Sequence, residues 1–68
     1  MNDKELLQEL LTSAKQTKMY YTLMYLECSK NLYQNGIGSE EKIERLSDLS
    51  SKADDIVKDL EEELEAIK

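Results

Sequence analysis

The chain has no Pro, Trp, Phe or His, two Gly, and a single Cys, Cys28, among 68 residues. Each absence removes a class of function. One cysteine forms no intramolecular disulfide and does not anchor a structural zinc site. Without His there is no His-based acid/base relay, no Ser-His-Asp triad and no Cys-His pair. Long apolar runs are missing too. The longest, Met19 to Leu26, has eight residues with a Thr inside, against the ~20 that a membrane span needs. The opening MNDKELLQEL carries acids early and no apolar h-region, so it does not read as a secretory leader. A reduced, cytoplasmic setting is the expectation. No cofactor and no metal is expected.

The charge is of one sign and confined to one half. The net charge is −6. In residues 1–38, Asp3, Glu5, Glu9 and Glu27 balance Lys4, Lys15, Lys18 and Lys30. Residues 39–68 hold eleven acids and five bases, so the whole imbalance lies there. Direct nucleic-acid binding and an anionic membrane surface both need clustered Lys or Arg. Neither is expected.

What is present reads as helix. The one strong break is Gln34-Asn35-Gly36-Ile37-Gly38-Ser39. Asn and Gly tolerate the left-handed backbone that ends a helix. With Gly36 just past the cap, Ile37 is expected to fold back on Leu32. Ser39 suits the N-cap of a second helix, accepting from the amide of Glu41 or Lys42. Glu40 and Glu41 follow where the helix dipole favours anions. Asn2 with Glu5 resembles a capping box.

The first segment, about 3–34, carries Leu7, Leu10, Leu11, Ala14, Tyr21, Tyr25, Cys28 and Leu32, within roughly 100° of one another on a helix. The second, about 40–67, carries Ile43, Leu46, Ala53, Val57, Leu60, Leu64 and Ile67, with Ser50 in the gap. Thr17 and Ser50 are polar residues at stripe positions. Return of their hydroxyls to the carbonyl four residues back is expected, with a register role as the alternative. A turn at 35–39 makes the two helices antiparallel neighbours. The predicted fold is a single all-α domain over 1–68: an antiparallel two-helix hairpin, dimerising into a four-helix bundle.

Helix 1 has more apolar surface than a hairpin can hide. Met19, Leu23, Leu26 and Tyr33 lie roughly 80–160° from the Leu7 direction, and Tyr20 and Met24 lie toward the other side. A helix apolar nearly all round is normally buried all round. Below about 70–80 residues a single core rarely supplies more than ~3–5 kcal/mol, and self-association is a usual remedy. Met19, Tyr20, Leu23, Leu26 and Tyr33 are therefore the expected partner-binding residues. The partner is the chain itself as a homodimer, another protein, or both. Function is expected to be that of a small non-enzymatic interaction module: an adaptor, inhibitor or regulatory factor.

The acids offer two alternatives. Asp48, Asp54, Asp55, Asp59, Glu62 and Glu63 form an acidic face on helix 2 that could occupy a basic groove meant for nucleic acid. Lys52 and Lys58 interrupt it. The second alternative is carried by Leu49-Ser50-Ser51-Lys52-Ala53-Asp54-Asp55-Ile56-Val57. This stretch resembles the Ser-Gln-Glu-Leu-Asp segment of small helical-hairpin phosphatases that act on sporulation response regulators. Ser50, Asp54 and the apolar pair after it match. Ser51 and Ala53 stand where the family has Gln and Leu, and the first helix is longer than the family's. The resemblance covers about nine residues and implies an aspartyl-phosphate phosphatase with Asp54 as the acting side chain. No catalytic residue follows from spacing alone.

Overall fold

The computed structural model describes residues 3–67. Helix α1 spans Asp3–Asn35 and helix α2 spans Glu40–Ala66, and the two pack against each other as a hairpin. The expected capping box falls on Asn2, outside the described residues. Both helices run uninterrupted because Pro is absent and Glu, Lys and Leu are strong helix formers. At 1.5 Å per residue, 33 residues of α1 span about 50 Å, which accounts for overall extents of 51 × 15 × 12 Å. The radius of gyration is 15.5 Å, whereas a compact chain of this length would have about 11 Å.

The bend is built by its predicted residues. Gly36 has φ +67, the left-handed region that a side chain resists. Its amide donates to Leu32 O at 3.0 Å, and the Ile37 amide donates to Asn31 O at 3.1 Å. The first bond is that of the simple left-handed ending. Ile37 does not bury itself on Leu32; it stays 66% exposed. Ser39 caps α2, its hydroxyl accepting from Lys42 N at 3.2 Å.

The seam between the helices follows strict four-then-three spacing. On α1 it comprises Leu7, Leu11, Ala14, Lys18, Tyr21, Tyr25, Cys28 and Leu32, all half-buried. On α2 it comprises Ile43, Leu46, Ser50, Ala53, Val57, Leu60, Leu64 and Ile67. Four of these, Ile43, Leu46, Ala53 and Val57, are the buried core. A 3.5-residue period keeps one line facing a partner along the whole rod. That period corrects two expectations. Leu10 leaves the stripe and stands 47% exposed, because the seam takes Leu11. Thr17 also lies off the seam, exposed, with its hydroxyl donating to Ser13 O at 3.1 Å; Lys18 takes the seam position.

Two cross-helix bonds fix the register. Lys18 Nζ donates to Asp54 Oδ1 at 2.6 Å, and the Thr22 and Ser50 hydroxyls share a bond of 2.9 Å. Four residues forward on α1 is four back on α2, as antiparallel rods require. The Ser50 hydroxyl therefore reaches across the seam, where a bond to its own helix was the first expectation. On this register Tyr21 lies level with Ser50 and Lys18 with Ala53, so the small residues of α2 make room for the large ones of α1. The Ser29 hydroxyl is buried without a hydrogen-bond partner; it lies one turn-pair beyond Thr22, level with apolar Ile43 where Thr22 has Ser50.

Candidate functional site

With the seam defined, the outer surface of α1 follows by geometry. Met19, Leu23, Leu26 and Tyr33 form a second line with the same four-three spacing, broken only by Lys30. On a 3.5-residue period this line is centred roughly 130–180° from the seam, so Leu23 sits on the edge of α1 farthest from α2. The exposures agree: Met19 63%, Tyr20 59%, Leu23 58%, Leu26 55% and Tyr33 73%. The ring of Tyr20 packs edge-on against Tyr21, centroids 5.5 Å apart at 66°. A seam residue thus sets the pose of a surface one. A shallow groove lined by Lys15, Lys18, Met19, Thr22 and Leu23 runs beside the line.

The exposed apolar area is large for a rod this small. With about 200 Å² for a fully exposed Leu, Met or Tyr, these five residues present roughly 600 Å², at the upper end for the largest patch on a typical monomer. The whole chain shows the same excess. Its accessible surface is 5380 Å². An unfolded chain of 7.9 kDa would expose about 11,500 Å², so folding hides about 53% where a 60-residue domain hides about 60%. Closing that gap requires covering about 800 Å² more per chain.

Most of the acidic face of α2 points the other way, while Glu63 borders the seam in a groove shared with Leu6 and Leu7 of α1. Asp48, Asp55, Asp59, Glu62 and Glu63 are exposed. Glu41, Asp48, Asp55 and Glu62 recur every seven residues, on the line of α2 opposite its seam. Asp54 departs from the expected outward face. It flanks the seam, with its side chain 29% exposed and shared between Lys18 at 2.6 Å and Lys58 at 3.1 Å. Hydrogen bonds from Lys18 and then Lys58 hold its carboxyl below the usual value of 3.8. The same bond raises Lys58 above its usual 10.5. Ser50 and Asp54, the residues that carry the phosphatase resemblance, are thus both engaged with α1.

Among the described residues no group of His, Cys, Asp and Glu is arranged to hold a metal ion, and no helix is long and apolar enough to cross a membrane. Cys28 is half-buried in the seam, in a small recess at the bend lined by Cys28, Asn31, Ile37, Gly38, Ser39 and Lys42. Two features escaped sequence reasoning. Lys18 is a seam residue, signalled only by its place in the four-three series. Leu6, 47% exposed, adds apolar surface near the open end, where it lines a groove with Asp3, Leu7, Glu63, Ala66 and Ile67.

Compared with known proteins, the chain matches no family model, no curated protein and no solved structure.

Proposed function

We propose that this chain is a non-enzymatic protein–protein interaction module whose working surface is the outer face of α1. The observation that carries the reading is the second four-three line, Met19, Leu23, Leu26 and Tyr33, exposed on the side of α1 that α2 cannot reach. A helical face with that spacing fits another helix, ridge into groove. Tyr brings a large rigid area with a polar tip, and Met brings adaptability. Covered by a second hairpin, the face completes a four-helix assembly. The outward acids of α2 add orientation and rate to encounters more than affinity. A lone thiol suits the reducing cytoplasm, which the reading takes as the site of action.

The test uses the purified chain as bait beside two variants. Leu23→Lys with Leu26→Lys puts charge on the apolar line. Asp48→Lys with Asp55→Lys changes the acidic line and leaves the apolar one alone. Loss of association, with itself or with another protein, in the first variant only supports the reading. Retention of every association by the first variant overturns it.

A further inference from the structure

Resting on that reading, we propose that the occupant of the outer face of α1 is a second copy of this chain, laid antiparallel, with a two-fold axis between Leu23 and Leu26. The assembly is then one layer of four helices, with the two α1 helices in the middle and the two α2 helices outside.

Area argues for a second copy. Among the described residues no side chain falls below 2% exposure, and the chain's burial falls short by about 800 Å². A standard interface covers about 800 Å² on each partner. The five exposed residues supply roughly 600 Å² of it, and their flanks can supply the rest. The shortfall belongs to the chain itself, so the partner that removes it must be present whenever the chain is, and a second copy is.

Charge argues for the direction. On the outer edge of α1 the series reads Glu9, Gln16, Leu23, Lys30. A parallel pair in register would set Lys30 on Lys30 and Glu9 on Glu9, like charges directly opposed. The antiparallel pair avoids both. Leu23 meets Leu26 of the second copy, and each Lys30 lies level with the other copy's Met19. There its alkyl stem can cover the thioether while the ammonium reaches water. Tyr20 comes beside Glu27 of the second copy, close enough for the phenol to donate to the carboxylate. The same geometry explains why a layer forms and not a closed bundle. In a closed bundle each helix meets its neighbours on adjacent sides, whereas α1 has its two apolar lines on nearly opposite sides. The two acidic lines end on the outer edges of the layer, as far apart as they can be.

The test is a distance. In a Cys28→Ser background, Glu9→Cys places a nitroxide on the outer edge of α1, well away from the apolar line. Helicity by circular dichroism confirms that the labelled chain is folded; if Cys28→Ser perturbs it, Cys28→Ala replaces it. Pulsed dipolar spectroscopy should give a spin–spin distance of about 45–50 Å, set by 1.5 Å per residue on either side of the two-fold. A distance of about 10–20 Å means parallel helices at ordinary interaxial spacing and overturns the proposed direction. A folded chain with no dipolar signal overturns self-pairing. In that case, association lost only in the Leu23→Lys, Leu26→Lys bait would still leave an interaction module with another partner.

Discussion

Replacing Leu23 and Leu26 by Ala separates the apolar line from the hairpin that carries it. Both leucines are more than half exposed in the hairpin, and Ala is the better helix former, so the individual hairpin should lose nothing. The dimer should lose a great deal. At 58% and 55% exposure, each leucine shows about 110 Å², of which Ala would keep roughly half. Over the four sites of a dimer about 200 Å² of coverable surface disappears, or about 5 kcal/mol at 25 cal/mol per Å². That weakens the dissociation constant by three to four decades. Thermal melts followed at 222 nm read this directly, because the midpoint of a dimer depends on concentration. A rise from about 5 to about 200 µM adds about 2.2 kcal/mol per dimer. Divided by about 2.1 cal/mol/K for each residue of two chains, this shifts the wild-type midpoint by about 8 °C. The variant should melt at a midpoint that barely moves over the same range. A wild-type midpoint independent of concentration refutes the reasoning, as does a variant that shifts as far as wild type.

Other perturbations test the hairpin itself. Leu46→Ala, at one of the four buried positions among the described residues, should cost about 2–3 kcal/mol and lower the midpoint by about 10–20 °C; a drop no larger than that of Leu10→Ala would mean the seam is misassigned. Gly36→Ala should cost about 1 kcal/mol from backbone strain alone, since nothing lies within 4 Å of the added carbon, and Gly36→Asn should cost less. Equal stability of all three chains in urea would rule out the left-handed bend. Asp54→Asn should lower the midpoint slightly at neutral pH and less at acid pH below the depressed carboxyl value, where the wild-type carboxyl is protonated as well. The sign follows from the lowered Asp54 value: its contribution is present above the ordinary carboxylate range and fades as pH falls through the depressed one. An equal drop at both pH values would show that charge is not what Asp54 supplies.

Much of the hairpin is written locally. Without Pro, and with a Gly36 stop and a Ser39 start, helix ends are short-range decisions, and both fall within a residue of where the sequence puts them. The seam is harder, because it depends on the partner helix. At 3.6 residues per turn Leu10 and Leu11 are equally good stripe members, and only packing against α2 over the full rod selects Leu11. Lys18 breaks the apolar pattern of the seam, although Ala53 opposite it leaves room for its stem and Asp54 beside it receives its charge. Asp54 leaves the outward acidic face for the same reason: a residue next to a seam position can turn inward once a cation crosses to meet it. The outer face of α1 was legible because excess is easier to see than pairing. Met19, Leu23, Leu26 and Tyr33 exceed what one neighbour can cover, whatever the details of the seam.

Light scattering of the folded wild-type chain at about 100 µM, a concentration chosen to populate any specific dimer of micromolar affinity, bears most directly on whether a second copy covers α1. The account predicts a mass of twice 7.9 kDa that falls to the single-chain value when Leu23 and Leu26 become Lys. A helical wild-type chain that stays at 7.9 kDa across the accessible range would contradict it.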